Sequence, residues 1–172
     1  AGEEGRRHHG GHVANHVGPY IQGVELAATT NVDPFFKFEM EFSLVHLHFE
    51  QVLVQTTSLP WNLQLRAGQF RTSFGRQNVN CLHQWSFVDH TLALDYLFGP
   101  EGLSLPGAEL SVLLPLPWYV ELVAAVQSGL SRSQWAARLR GLEDLVYTPR
   151  LVSFFDLSDD LALQIGLNGS FA

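Results

Sequence analysis

Residues 36–44 read Phe36-Lys37-Phe38-Glu39-Met40-Glu41-Phe42-Ser43-Leu44, with five apolar side chains alternating with four polar ones. Successive side chains of a β-strand point to opposite faces, so this alternation places all five apolar residues on one face. In a helix, which turns about 100° per residue, both sets would be spread around the cylinder. The stretch therefore predicts a strand with one apolar and one polar face.

Seven further segments have strand character, at about 20–28, 50–57, 62–70, 108–114, 118–127, 143–155 and 161–168. Pro149 lies inside the seventh of the eight strands and predicts a bulge or a local break in its pairing. Short turns at 31–34, 59–62, 115–117 and 156–160 separate strands 1/2, 3/4, 5/6 and 7/8. The other connections, 46–49, 71–107 and 128–141, vary in length, and two of them are long.

This spacing indicates how the strands are ordered. Up-and-down order would put every short turn at one rim and every variable loop at the other. Strands of about 9–12 residues suit a tilted crossing of hydrocarbon. Aromatic residues sit beside the short turns, as at a membrane interface: Phe35, Phe36, Trp61, Trp118, Tyr119, Phe154 and Phe155. We therefore predict an all-β fold, an antiparallel up-and-down transmembrane β-barrel of eight strands or an open part of a larger barrel.

Composition narrows the function classes. The chain of 172 residues is 46% hydrophobic and 16% charged, which excludes a disordered polymer. A net charge of −7 argues against a nucleic-acid binder, which needs a basic face. Cys81 has no second cysteine to pair with. A soluble β-sandwich would also explain the alternation, but it explains the difference between the two rims less readily.

The chain divides into a flexible leader, residues 1–18, and a barrel domain, residues 19–172. The leader is rich in glycine and histidine and shows neither strand nor helix periodicity. Imidazole is the commonest protein ligand for metals. Four leader histidines are therefore weak metal candidates beside the simpler interpretation of a polar tail: His8, His9, His12 and His16.

Several motifs carry a resemblance to a known family. They are Thr57-Ser58-Leu59-Pro60, Leu65-Arg66-Ala67-Gly68-Gln69-Phe70, Phe74-Gly75-Arg76-Gln77-Asn78, His83-Gln84-Trp85-Ser86-Phe87-Val88-Asp89, Gly99-Pro100-Glu101-Gly102-Leu103 and Pro106-Gly107. Together they resemble bacterial outer-membrane β-barrel, porin-like proteins, some of which are named zinc-regulated TonB-dependent outer-membrane receptors. The resemblance covers about residues 20–172 and implies an outer-membrane location. Family members are longer, so this chain is expected to be an N-terminal half or a truncated copy, without a plug domain.

If the apolar faces meet lipid, the opposite faces line a water-filled lumen. Mixed-sign charge along such a wall orients polar solutes and sets selectivity. The predicted lining residues are Lys37, Glu39, Glu41, Arg66, Arg71, Arg76, Glu109, Glu121 and Arg150. Among these, Arg66, Arg71 and Arg76 are predicted to form a basic constriction.

The 71–107 loop is expected to fold into the lumen and narrow it. Trp85, Phe87, Tyr96 and Phe98 would supply an apolar body that packs against the wall. The candidate site residues within the loop are His83, Trp85, Phe87, Asp89 and Glu101.

These predictions favour passive diffusion of small polar solutes across a bacterial outer membrane, with the lipid bilayer and the solutes as partners. No cofactor and no enzymatic activity are expected, because the chain has no Gly-x-Ser-x-Gly, phosphate-loop, Cys-x-x-Cys or His-Glu-x-x-His motif. The alternatives are a zinc-related receptor or binding barrel, and a soluble β-sandwich binding module. Association into a homo-oligomer stays open.

Overall fold

The computed structural model describes residues 24–45, 47–80, 91–98, 102–128 and 145–171. Eight strands form one sheet in which each strand pairs antiparallel with the next along the chain. They are β1 Glu25–Asn31, β2 Phe36–Ser43, β3 His48–Thr56, β4 Leu63–Arg71, β5 Ser104–Leu113, β6 Tyr119–Ser128, β7 Leu145–Ser158 and β8 Leu161–Asn168. A short helix, α1, spans Leu92–Phe98, and a 3₁₀ turn spans Pro60–Asn62.

The predicted all-β, antiparallel, up-and-down order of eight strands is confirmed. Within the described residues β1 and β8 do not pair with each other, so the sheet is open. All four short turns fall where the sequence places them, to within a few residues. No helix in the described part of the chain is long and apolar enough to cross a membrane.

The two faces of the sheet differ in composition and in exposure. The interstrand register puts Leu65, Leu110 and Ala124 in one row, and this apolar face is open to solvent. Leu110 is 45% exposed and Leu167 is 67% exposed. Other exposed members of the apolar face are Leu26, Phe36, Val54, Leu122, Val126, Tyr147, Leu163 and Ile165.

The buried core lies on the opposite, polar face. There the segment between β4 and β5 covers the sheet, and its described part (residues 72–80, 91–98, 102 and 103) is called the covering segment below. Phe98 and Leu103 of this segment pack with Leu105 of β5 and Val146 of β7. The main core cluster therefore forms between a connection and the polar face.

Two glycines allow neighbouring strand backbones to approach closely. Gly68 of β4 pairs with Gly107 of β5 in the middle of the sheet. A Cβ at Gly68 would lie 2.2 Å from the Val52 carbonyl oxygen, and its φ of +135° also favours glycine. A Cβ at Gly107 would lie 2.2 Å from the Val126 carbonyl oxygen and 2.7 Å from Cγ of Gln127. Glycine in a strand interior commonly marks such a tight bend or close backbone approach.

The predicted loop 71–107 is too long at both ends. β4 continues to Arg71, β5 begins at Ser104, and α1 lies between them. The predicted loop ended at Pro106-Gly107, where alternation resumes, yet Pro106 lies within β5 although it lacks a backbone N–H to donate. At this position β5 pairs with β4 only, since its pairing with β6 begins at Gly107, so no donor is needed on the second side.

Of two smaller predictions, the first is confirmed in part and the second is wrong. Pro149 creates no bulge in the β6–β7 ladder, where it lies opposite Ala124, and the register shift in β7 falls at Asp156/Ser158 instead. On its other side, β7 pairs with β8 as far as Arg150↔Asn168 and then again only at the isolated bridge Tyr147↔Phe171, so the pairing is interrupted at Pro149, as the predicted local break requires. His48 and Phe49 belong to β3 and not to a connection, because β3 carries a bulge opposite Glu41/Phe42.

Candidate functional site

The polar face gathers most of the predicted lining residues. Lys37, Gln55, Arg66 and Glu109 occupy one continuous row across β2 to β5. Alternation along the same strands and on β6 and β7 places the remaining strand-borne members on this face: Glu39, Glu41, Glu121 and Arg150. The candidate site is this face together with the covering segment.

Arg66 is held by an ion pair at the centre of the face. Its Nε lies 2.7 Å from Oε1 of Glu109, and its Nη2 donates to Oγ of Ser73 at 2.7 Å. The guanidinium carbon also stands 4.4 Å from the ring centroid of Phe70. Glu109 is 6% exposed, so both charges are compensated largely away from bulk water. The contact with Ser73 ties the covering segment to β4.

Arg71 is neutralised by two carboxylates. Its Nη1 donates to Oε2 of Glu41 at 3.0 Å, and its Nη2 donates to Oε2 of Glu50. Gln51 donates to the same Glu41 oxygen at 3.0 Å. Sequence reasoning missed Glu50, because only the bulge between β2 and β3 lets this additional residue turn toward Arg71.

Buried amides fasten the covering segment to the sheet. Thr72 donates from Oγ1 to Oε1 of Gln127 at 2.6 Å, and Nε2 of Gln127 donates to the carbonyls of Phe70 and Leu105. Gly107 gives this glutamine room to lie across β5. Asn78 binds the Thr72 and Leu103 carbonyls and accepts the Leu103 N–H. Thr72 and Gln127 are 55 residues apart, so no local sequence pattern signals their contact.

A polar pocket lies where the covering segment reaches β8. The Gly75 N–H donates to Oδ1 of Asn168 at 3.1 Å, across a sequence separation of 93 residues. The adjoining cavity has a volume of about 510 Å³ and is called the β8 pocket below. Its lining residues are Gly75, Arg76, Arg150, Phe154, Ala162, Gln164, Gly166 and Asn168.

The three arginines of the predicted basic constriction do not act together. Arg66 and Arg71 each pair with carboxylates, whereas Arg76 lines the β8 pocket. Of the aromatic residues predicted to pack the loop against the wall, the structure describes Tyr96 and Phe98, and only Phe98 is buried. Phe98 is 3% exposed and packs edge-to-face on Phe74, but Tyr96 is 73% exposed. In α1, residues four apart share a face, so Leu94 and Phe98 point toward the sheet and Tyr96 away from it.

Other predicted site residues lie outside the part of the chain that the structure describes. These are His83, Trp85, Phe87, Asp89 and Glu101 of the loop and His8, His9, His12 and His16 of the leader. Among the described residues, no group of three or more His, Cys, Asp or Glu side chains is placed to hold a metal ion.

One relative resembles the chain in sequence. It is an uncharacterized protein of Aquifex aeolicus (strain VF5), 34% identical over 127 residues. The alignment covers 70% of this chain and 27% of the relative, so the chain spans about a quarter of the relative's length. No protein-family profile matches the chain. No solved structure matches it either.

Proposed function

We propose that the chain forms part of a bacterial outer-membrane β-barrel whose polar lumen lets small polar solutes diffuse through. The observation that carries this proposal is the inverted distribution of side chains. Leu110 and Ile165 on the apolar face are exposed, while Glu109 and Gln127 on the polar face are buried. A soluble protein rarely leaves so large an apolar surface uncovered, whereas hydrocarbon would cover it without cost.

Aromatic residues at both ends of the apolar face support the same proposal. Near the short turns, Trp118 stacks on Phe155 with centroids 6.3 Å apart. Near the opposite rim, Phe42 and Phe49 form an edge-to-face pair at 5.0 Å, and Tyr147 is exposed. Membrane barrels carry such aromatic girdles above and below an apolar band about 25 Å tall.

The covering segment would narrow the passage. Its hydrogen bonds to Gln127 and Asn168 hold it over the polar face. Phe98 adds an apolar contact, because its ring packs in the core cluster. Water and small solutes would then pass between this segment and the remaining wall. Selectivity would come from the charges left uncovered.

The proposal sets a requirement for the two edges of the sheet. Backbone groups without partners are too costly in hydrocarbon for an open sheet to span a bilayer. The outer edges of β1 and β8 must therefore be paired in the membrane. The proposed resemblance to longer barrel proteins supports pairing with further strands.

Reconstitution of the chain in planar lipid bilayers, with the outer edges of β1 and β8 paired as in the intact protein, tests the proposed function. We expect stepwise conductance, because a hydrated lumen passes ions. The variant Phe98→Ala should give larger conductance steps, since it removes the anchor of the covering segment. Tyr96→Ala is the matched control on the same helix and should leave the steps unchanged, because Tyr96 is exposed.

Two results would overturn the proposal. One is a chain that inserts into the bilayer but never conducts. The other is a chain that stays monodisperse in buffer without detergent, which would favour a soluble β-sandwich.

A further inference from the structure

The arginines of the polar face fall into two classes according to their partners. Arg66 and Arg71 each contact at least one carboxylate. Arg76 and Arg150 contact none among the residues that the structure describes, and both line the β8 pocket. No acidic residue is among the described residues that line this pocket. Two arginines therefore line one small cavity without an ion-pair partner among the described residues.

The other polar groups of the pocket are amides. Asn168 uses its Oδ1 to accept the Gly75 N–H, which leaves its Nδ2 group as a donor. Gln164 adds a second side-chain amide. Nε of Arg150 is buried and has no hydrogen-bond partner among the described residues. A buried charged donor without an acceptor is costly, so an acceptor that enters the cavity would be stabilised.

The acidic residue of the neighbouring strand, Glu121, forms no ion pair with Arg150. Glu121 lies opposite Val152, one diagonal step from Arg150 on the same face. Diagonal neighbours in a sheet are about 7–8 Å apart. The Glu121 carboxylate accepts the Tyr119 hydroxyl at 2.7 Å and is not in any of the ion pairs of the described chain.

We infer that the β8 pocket is an anion subsite that receives the carboxylate or phosphate group of a small solute. Guanidinium groups present paired donors that match the geometry of such oxyanions. Arg76 and Arg150 would supply the charge, while Asn168 and Gln164 would donate to the remaining oxygens. Phe154 would border the apolar part of the solute. The inference rests on the proposed function, because it makes this pocket a stop along the solute passage.

Calorimetric titration of the full chain in neutral detergent tests the subsite directly. Inorganic phosphate and acetate are the probes, and uncharged glycerol is the negative control. We expect saturable binding of at least one anion and none of glycerol. Arg150→Gln and Arg76→Gln should each weaken anion binding by about tenfold or more, since each removes charge-assisted hydrogen bonds.

Lys37→Gln is the matched control. It removes one positive charge from the same face, but Lys37 lies on β2 and pairs with Glu39 at 2.6 Å. Anion affinity should therefore be unchanged. Equal affinity in the wild type, Arg150→Gln and Arg76→Gln would overturn the subsite, as would equal losses in all three variants.

Bilayer currents separate this inference from the proposed function. Phosphate at its saturating concentration should reduce the chloride current of the wild type but not of the double variant R76Q/R150Q. A conducting chain that binds neither anion overturns the subsite and leaves the passage intact. A chain that binds anions but never conducts supports the subsite and overturns the passage.

Discussion

Two regions of the polar face carry arginines in contrasting surroundings. Around β4 and β5, Arg66 and Arg71 are mostly buried, with side chains 19% and 10% exposed, and both pair with glutamates. At the β7–β8 end, Arg76 and Arg150 line a cavity and pair with none among the described residues. Charges of the first kind hold the sheet and the covering segment together. Charges of the second kind have no such partner, and we propose that they attract a solute.

The largest loss of stability is expected from adding a side chain at Gly68, which lies in β4 between Arg66 and Arg71. Gly68→Ala places a Cβ 2.2 Å from the Val52 carbonyl oxygen at a φ of +135°. We expect a loss of more than about 4 kcal/mol in the free energy of unfolding. The atoms that the new Cβ meets belong to the backbone of Val52 and Leu53, which cannot move aside as a flexible side chain would. Urea unfolding in detergent micelles, followed by tryptophan fluorescence, measures the loss.

The matched control is a glycine beside the β8 pocket. In Gly166→Ala the added Cβ has no neighbouring atom closer than 3.8 Å. The free energy of unfolding of this variant should therefore lie within about 1 kcal/mol of the wild-type value. Equal stability of the two variants would show that the close backbone approach at Gly68 does not require glycine.

An intermediate effect is expected from removing one charge of the central ion pair. Glu109→Gln leaves the Arg66 guanidinium without its carboxylate in a mostly buried place. We expect a loss of about 2–3 kcal/mol in the free energy of unfolding. This loss is smaller than at a fully buried ion pair, because the Arg66 side chain is still 19% exposed to solvent. The same urea titration measures it.

Glu39→Gln is the control for that experiment. Its partner Lys37 is 2.6 Å away, but the two side chains are 36% and 34% exposed. Exposed ion pairs contribute about 0–1 kcal/mol, so the loss should be small. A loss at Glu39 as large as at Glu109 would contradict the distinction between structural and solvated charges.

The smallest effect is expected from removing an unpaired arginine. Arg150→Gln deletes a charge that has no ion-pair partner in the described chain. The free energy of unfolding should change by less than about 0.5 kcal/mol, or rise slightly. If Arg150→Gln lowered the free energy of unfolding as much as Glu109→Gln does, Arg150 would be a stabilising residue of the sheet. The two regions would then not differ in the role of their arginines.

Much of the fold was predictable because its signal is local. Alternation over residues 36–44 is visible without any partner strand, and turns such as Val32-Asp33-Pro34 carry their own chemistry. In the structure, Asp33 accepts the backbone N–H groups of Phe35 and Phe36 at 2.7 Å, which is the expected turn bond. The ends of β4 and β5 were less predictable, because Pro106 is allowed only by the one-sided pairing at that point.

The candidate site was predictable in its location but not in its pairings. The face that carries Arg66 and Glu109 follows from alternation alone. Their contact depends on the register of β4 against β5, which places them directly opposite each other. The role of Glu50 depends on a bulge, and the grouping of Arg76 with Arg150 depends on a connection that crosses to β8.

The sequence by itself determined the strands and the composition of their two faces, because side-chain alternation is a property of each strand alone. It also determined the order of the strands, through the spacing of short turns and longer connections. Only the tertiary structure decided that the polar face is the buried one, that Gly68 and Gly107 pair where strand backbones approach closely, and that two arginines share a cavity at β8. Those outcomes depend on register, bulges and the path of the covering segment. Each is a relation between distant residues, and no short stretch of the chain encodes it.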